Sequence, residues 1–246
     1  MIPEEPTGLW TTVRTVVFRH AEDGPLPALL LVLTFATGLI DATTVLGLGR
    51  VFVANMTGNV VFVGLALSRV PGFSSTLTVT SLVGFIAGAF LAGSLVRRAG
   101  FTRAGALRTT CSIQVVLIGL AAGLCVPHPH HLARSTQIAA IALLAVAMGI
   151  QNSTTRHLAV PGLATNVLTT TLTSIAAEHG HMSTLQAVRR IASVLSLLLG
   201  AVLGAELVVH WNVVVPLVVV IGLLAVVVAV CMGAVRRHHA WGPTVD

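Results

Sequence analysis

The sequence predicts an all-α protein: a polytopic membrane helix bundle with six full crossings, two short interrupted helices and an internal two-fold repeat. Three observations carry this prediction. Of the 246 residues, 55% are apolar and only 9% are charged, whereas a soluble domain carries about 25% charged residues. Six long apolar runs follow one another along the chain, and two further runs are interrupted by polar residues.

The six long runs have the length of membrane helices. A helix needs roughly 17 to 25 residues to cross about 30 Å of hydrocarbon. The fourth run reaches this length when it continues through the polar QNSTT segment to His157. The runs cover residues 26–46, 76–96, 106–126, 137–150, 191–209 and 213–235.

Two further runs, residues 51–67 and 158–177, are too polar for ordinary crossings. The first is 17 residues long and carries the polar sequence NMTGN at its centre. The second is broken by Pro161 and Gly162 and contains five Thr residues. Each run is either a weak crossing or a re-entrant half-helix.

The 14 Arg residues weigh these alternatives, because cytoplasmic loops are enriched in Lys and Arg. Eight crossings give almost no bias, with 8 Arg inside and 6 outside. Six crossings, with both interrupted runs re-entrant, give 11 inside and leave Arg50, Arg69 and Arg134 outside. Seven crossings, with the first interrupted run spanning and the N-terminus outside, give 10 against 4. Charge counting therefore leaves six and seven crossings open.

The two halves of the chain resemble each other. GLIDATT from Gly38 matches GIQNSTT from Gly149 at an offset of 111 residues, and GAFLAGSLV from Gly88 matches GAVLGAELV from Gly200 at an offset of 112. Three crossings in each half would insert the second half upside down, an inverted repeat of the kind found in secondary transporters. The repeat treats both interrupted runs alike and so favours six crossings.

The repeat divides the chain into five parts. Residues 1–25 form a cytoplasmic N-terminal segment, and residues 236–246 form a cytoplasmic C-terminal tail. Between them lie the first repeat half, 26–126, a His-rich loop, 127–135, and the second repeat half, 136–235.

Asp41 is the most informative single residue, because it lies about five residues past the middle of the first run. An Asp at the centre of a membrane helix costs about 2.5–3.5 kcal/mol, so it is expected to face protein or a cavity and to be functional. Thr34, Thr37 and Thr44 share its helix face at spacings of three and four. The alternative is a structural carboxylate that pairs with an Arg such as Arg50 or caps the neighbouring interrupted helix.

The interrupted runs point to a binding site. Broken membrane helices leave backbone N–H and C=O groups that need a ligand, an ion or polar side chains as partners. We therefore expect a central solute site where the two runs meet; the alternative is that Asn and Thr only join helices by hydrogen bonds. The candidate substrate-binding residues are Asp41, Thr44, Asn55, Thr57, Asn59, Gln151, Asn152, Thr165 and Thr169.

Other functional classes find little support. The chain contains no Lys, which excludes a P-loop and a lysine Schiff base. No GxSxG or HExxH motif indicates an enzyme, and the stretch PHPHHLAR lacks the acidic or Cys partners of a recognised metal site. We expect no catalytic residues, no metal, no cofactor and no nucleic-acid partner.

The motifs GLIDATTVLGLGRVFVANMTGN, GIQNSTTRHLAV and TNVLTTTLTSIAAE resemble the YoaK family of bacterial inner-membrane proteins, a domain of unknown function. The resemblance runs from about Pro27 to Val235 and implies a multi-pass protein of the cytoplasmic membrane. It supplies no substrate and no catalytic residues. The family's motif positions would be Asp41, Asn55, Thr57, Gly58, Asn59, Gln151, Asn152 and Thr169.

The leading hypothesis is a secondary transporter or permease for a small solute, embedded in the lipid bilayer of the cytoplasmic membrane. The alternative is a non-transporting membrane scaffold or lipid-interacting protein. Gly84 and Gly88, with Gly200 and Gly204 in the second half, have GxxxG spacing, which allows helix backbones to pack closely. These glycine faces also offer a route to a homo-oligomer.

Overall fold

The structure is a computed structural model and describes residues 24–99, 102–127, 132–160 and 184–236. This part of the chain forms six long helices and one short helix. The helices are α1 (Leu26–Gly47), α2 (Met56–Leu67), α3 (Ser75–Ala99), α4 (Arg103–Cys125), α5 (Arg134–Leu158), α6 (Thr184–His210) and α7 (Val214–Arg236).

The six long helices have the length and composition of membrane spans. The shortest of them, α1, has 22 residues, or about 33 Å at ~1.5 Å per residue, which exceeds the hydrocarbon thickness of about 30 Å. The helix α2 has only 12 residues, or about 18 Å, and is too short to cross. The prediction of a polytopic helical bundle with six full crossings is confirmed, and the fourth run does continue through QNSTT as α5.

The short helix returns the chain to the end of the bundle from which it came. Past the end of α1, a Cβ on Gly49 would touch the Leu77 side chain near the start of α3. The Arg50 guanidinium similarly lies against Gly72, in the connection between α2 and α3. The C-terminal end of α1 and the N-terminal end of α3 therefore lie side by side, so α1 and α3 run in opposite directions. The first interrupted run is re-entrant, which excludes the arrangements with seven and eight crossings.

Two parallel helix pairs fix the remaining directions. Gly38 of α1 is in backbone contact with Leu197 of α6, and further along both helices Leu39 lies against Gly204. In the other pair, Gly149 of α5 is in backbone contact with Phe85 of α3. Ser74, just before α3, accepts a hydrogen bond from Arg134 at the start of α5, so these two helices begin at the same end. The six long helices thus alternate in direction along the chain.

The GxxxG glycines lie in contacts between helices of the same chain. Gly84 and Gly88 of α3 pack on Ala142 and Val146 of α5, while Gly200 and Gly204 of α6 pack on the backbone of α1. A methyl group on Gly88 or Gly200 would overlap a backbone oxygen of the opposite helix. The expected close packing of backbones is therefore present, but a homo-oligomer would need a surface other than these faces.

Exposed apolar side chains form a stripe along each of the helices α3 and α6. On α3 the exposed side chains are Val79, Val83, Ile86 and Phe90, and their spacing of three and four places them on one face. On α6 the exposed side chains Ile191, Leu195, Leu198 and Val202 form a similar stripe. Because lipid is the solvent of a membrane helix, these stripes are the faces that contact the bilayer.

The position of one charged residue, Arg189, differs from the sequence prediction. Counting charges places Arg189 in a cytoplasmic loop, because the apolar run begins at Ile191. The helix α6 already begins at Thr184, and Arg189 is buried within it. The helix extends past its apolar part, so the apolar run alone marked the helix start seven residues too late.

Candidate functional site

Asp41 binds the non-helical segment that precedes α2, residues 51–55, which we call the break. After Gly47, a turn with positive φ at Gly49 and Arg50 reverses the chain, and residues 51–55 pass back along α1. The backbone N–H groups of Val53 and Ala54 both donate to Oδ1 of Asp41, each at 2.9 Å. Asp41 lies six residues before the end of α1, so the break lies about 9 Å inside the bundle.

Asn59 and Ser81 bind Phe52, the residue of the break that precedes Val53. The Asn59 side chain accepts from the Phe52 N–H at 3.0 Å and donates to the Phe52 carbonyl at 2.7 Å. Ser81 of α3 donates to the same carbonyl at 2.6 Å and accepts from the Asn59 amide at 3.1 Å. Since Asn59 and Ser81 are both fully buried, these bonds replace the water that an open backbone would otherwise require.

Aromatic rings seat the short helix on the break. Phe52 stacks on Phe62 of α2 with ring centroids 5.3 Å apart, and Phe62 contacts Phe73 before α3 with centroids 5.0 Å apart. A Cβ on Gly58 would lie only 2.7 Å from the Phe52 ring. The Gly between Thr57 and Asn59 therefore makes room for this ring.

Two of the predicted binding residues lie elsewhere. Asn55 and Thr57, at the beginning of α2, are exposed on the surface of the described structure, and Asn55 forms no side-chain cap. The prediction grouped them with Asn59 because of their sequence spacing. Only Asn59 points inward, because α2 packs on the rest of the bundle through one narrow face. Thr44 is buried beside Asp41, and its hydroxyl donates to the Asp41 backbone carbonyl at 3.1 Å.

Gln151 links the first helix of one half to the first helix of the other. Its Nε2 donates to Oγ1 of Thr37 at 2.7 Å and to the Leu33 carbonyl at 3.3 Å. A carbonyl can only accept, so the amide nitrogen must face Leu33 and Oε1 must point away. Gln151 is 3% exposed, and its Oε1 has no hydrogen-bond partner among the described residues.

Asn152, the repeat equivalent of Asp41, is half-buried, and its side chain makes no hydrogen bond to the described residues. The next two threonines bond back to their own helix, Thr154 to Ile150 and Thr155 to Asn152. Thr165 and Thr169 lie outside the described residues, as does most of the second interrupted run. The structure therefore brings together Asp41, Thr44 and Asn59 around the break. Gln151 contacts α1 at Thr37, one helical turn before Asp41.

The electrostatics of this region are dominated by one acid. Asp41 is 9% exposed, and no ion pair with it occurs in the described ranges. The alternative in which Asp41 pairs with Arg50 is thus not the arrangement present. Asp41 bonds to Val53 and Ala54, which precede the N-cap residue Asn55, so these two bonds hold the segment before α2 rather than cap the helix itself. The helix α2 carries no charged residue. Within the described ranges, no group of three His, Cys, Asp or Glu side chains could hold a metal ion.

Sequence reasoning missed several buried polar residues, among them Ser81, Gln114 and Arg189. Ser81 binds the break, Gln114 of α4 is buried with an unpartnered Oε1 in the described structure, and Arg189 is buried in α6. Ser81 could have been found from the repeat, because Ser193 occupies the equivalent position at the offset of 112. No sequence signal separates Gln114 from an ordinary helix residue.

Comparison with known proteins places the chain in a family. The family model described as "Protein of unknown function (DUF1275)" matches residues 29–230, which is most of the chain. The chain belongs to the DUF1275 family. One DUF1275 relative is the UPF0700 transmembrane protein YoaK of Bacillus subtilis (strain 168), 32% identical over 151 residues. That alignment covers 60% of this chain and 64% of the relative. No solved structure matches this DUF1275 protein.

Membership confirms the resemblance seen in the sequence, and with six membrane-spanning helices it makes the chain a multi-pass membrane protein. The DUF1275 description assigns no function, and the name of the relative states only that it is a transmembrane protein. Any function must therefore be argued from the residues themselves.

Proposed function

We propose that this DUF1275 protein is a secondary transporter or permease that carries a small solute across the cytoplasmic membrane. The observation that carries the proposal is the re-entrant helix α2, whose backbone break ends on the buried Asp41 of α1. Interrupted helices inside a membrane occur where their free backbone is buried in protein or lines a cavity rather than facing lipid. Intramembrane acids likewise mark solute and ion pathways.

Repeated helix contacts support a two-fold arrangement. Gly38 lies on Leu197, and its repeat equivalent Gly149 lies on Phe85, which is itself the equivalent of Leu197. In the same way, the contact of Gly88 with Val146 corresponds to the contact of Gly200 with Phe35. In both comparisons, each residue of the first half and its equivalent in the second half are related by a sequence offset of 111 or 112.

This agreement, with three crossings in each half, supports an inverted repeat, and transporters of this kind bind their solutes near the repeat interface at the bilayer midplane. The bond from Gln151 to Thr37 joins the first helices of the two halves at that interface. We place the solute beside Asp41, Thr37 and Gln151. Asn152, Thr165 and Thr169 stay the sequence-based candidates for the contribution of the second half.

The test is transport by the full chain in proteoliposomes. Currents on a solid-supported membrane are recorded after concentration jumps of amines, polyols, sugars and carboxylates. We expect at least one class to produce a saturable current that falls at least tenfold in Asp41→Asn, which removes the charge but keeps an oxygen for the Val53 and Ala54 N–H groups. The matched control is Glu206→Gln, because Glu206 is an exposed acid that pairs with His210 at the end of α6. A current that is the same in Asp41→Asn and the wild type would contradict the role of Asp41.

A non-transporting scaffold or lipid-interacting protein is the second candidate. It is favoured by the way in which side chains close the break: Phe52 is fully bonded to Asn59 and Ser81, and Val53 and Ala54 to Asp41. A scaffold needs such closed bonds and no solute. Proteoliposomes that give no current with any solute class, while the protein is folded, would favour this candidate.

A further inference from the structure

We propose that Arg50, Arg69 and Arg134 bind the headgroup phosphate of an anionic phospholipid whose acyl chains lie on the exposed apolar face of α3. The three arginines lie at the end of the bundle where α1 ends and where α3 and α5 begin. This site is separate from Asp41. It goes beyond the proposed transport function, because it concerns a lipid bound on the outside of the bundle.

Two of the guanidinium groups meet at the connection between α2 and α3. Cζ of Arg50 lies 3.1 Å from the position that a Cβ on Gly72 would occupy, and Arg134 donates a hydrogen bond to Oγ of Ser74. Gly72 and Ser74 are two residues apart, so their Cα atoms are separated by at most about 7 Å. Two arginines from distant parts of the chain therefore contact neighbouring positions of one turn.

Arg69 adds a third positive charge to this turn. The helix α2 ends at Leu67, and Arg69 follows it with a positive φ of 58°. The Phe73 N–H donates to the Val70 carbonyl at 3.4 Å, which closes the turn between Arg69 and Ser74. A cation is also favoured at the C-terminal end of a helix, where carbonyl groups lack intrahelical partners.

Negative charge is missing around these arginines. Residues 48–74 and 126–133, which include the turn and the connection that leads into α5, contain no Asp or Glu. Glu206, near the end of α6, pairs with His210 instead. All three arginines are exposed, and within the described ranges none of them forms an ion pair. An anion would complement this charge, and guanidinium groups bind phosphate oxygens through paired N–H donors.

The position of the arginines favours a lipid over a soluble anion. The helix α1 is long enough to span the hydrocarbon, and Arg50 follows its last residue by three, so the arginines lie at the level of the lipid headgroups. On the hydrocarbon side of them, α3 exposes Val79 and Val83, and Leu67 at the end of α2 is 73% exposed. A phospholipid therefore finds a phosphate site and an apolar surface next to each other, and basic pockets at the ends of membrane helices bind anionic headgroups.

The test measures lipid binding to the purified full chain in detergent by native mass spectrometry. Dioleoylphosphatidylglycerol is compared with dioleoylphosphatidylcholine, which has the same acyl chains and a phosphate but no net charge. We expect saturable binding of phosphatidylglycerol with at least tenfold higher apparent affinity than phosphatidylcholine. Glycerol 3-phosphate at the same concentration should not displace it. Equal affinities for the two lipids would overturn the proposal, and displacement by glycerol 3-phosphate would show that the arginines bind a soluble anion rather than a lipid.

Variants assign the binding to these arginines. Arg134→Gln should lower the affinity for phosphatidylglycerol at least threefold, and the double variant Arg50→Gln, Arg134→Gln at least tenfold. The matched control is Arg156→Gln, because Arg156 is an exposed arginine in the last turn of α5, the helix that begins at Arg134. It removes the same charge at the opposite end of that helix and should change the affinity less than twofold. Equal losses in Arg134→Gln and Arg156→Gln would show that the lipid responds only to net charge and would overturn the site. If a variant does not fold, the comparison of lipids on the wild type still decides.

Discussion

The carboxylate of Asp41 on α1 accepts a 2.9 Å hydrogen bond from the backbone N–H of Val53, twelve residues further along the chain. The same oxygen accepts from Ala54. These two bonds connect a full membrane crossing to a helix that enters and leaves by the same end of the bundle. Asp41 is therefore a structural residue of the break as well as the proposed ligand of the solute, and the two roles can be separated by substitution.

Asp41→Ala should destabilise the protein more than Asp41→Asn. Alanine leaves two buried N–H groups without an acceptor, and each such group costs about 1–3 kcal/mol. Asparagine keeps an oxygen at the position of Oδ1 and should retain most of the stability. The measurement is the free energy of unfolding in detergent, followed by fluorescence. Equal losses in the two variants would show that Asp41 does not stabilise the break through Oδ1.

Asn59→Ala should cost more stability than Ser81→Ala. Asn59 serves both the N–H and the carbonyl of Phe52, whereas after loss of Ser81 the carbonyl still accepts from Asn59. We expect a loss of about 1–3 kcal/mol for Asn59→Ala and about 1 kcal/mol or less for Ser81→Ala. Hydrogen exchange at residues 52–54 should increase more in Asn59→Ala than in Ser81→Ala. The reverse order would contradict the bonding described for Phe52.

Gly38→Ala and Gly149→Ala should destabilise the two parallel helix pairs by similar amounts. A methyl group at either position would overlap a backbone carbonyl, of Leu197 or Phe85, and such overpacking costs about 1–3 kcal/mol. The matched control is Gly119→Ala, because a Cβ on Gly119 would meet nothing within 4 Å. That control should be neutral or should stabilise by up to about 1 kcal/mol through helix propensity. A large effect at only one of Gly38 and Gly149 would argue against the repeat.

Single cysteines should report six crossings. Cysteines introduced at Arg50, Arg69 and Arg134 should react with an impermeant maleimide from one side of the membrane, and cysteines at Arg103 and Arg156 from the other. The three native cysteines are buried, so their background labelling should be low. Opposite sides for positions 50 and 69 would mean that α2 crosses and would restore the seven-crossing arrangement.

The site could be predicted only in part. Polar residues inside an apolar run are costly, so Asp41 and Asn59 stood out in the sequence and both proved to be buried. Asn55 and Thr57 stood out for the same reason but are exposed, because spacing within a short helix does not show which face packs on the bundle. Ser81 was overlooked, since its one signal in the sequence is the repeat match with Ser193, and its bond to Phe52 is known only from the structure.

Hydropathy and length by themselves determined that this chain has six runs long and apolar enough to cross a bilayer and that residues 51–67 are not an ordinary crossing, because hydrocarbon thickness and unpaired backbone groups set those limits. They left open whether residues 51–67 cross the bilayer or re-enter it. Only the tertiary structure decided which polar groups meet. Lipid and the protein interior are equally apolar, so the sequence of a membrane helix does not separate the face that contacts lipid from the face that contacts another helix. The bonds from Val53 to Asp41 and from Gln151 to Thr37 join residues on different elements, and no pattern along the chain shows that these elements meet.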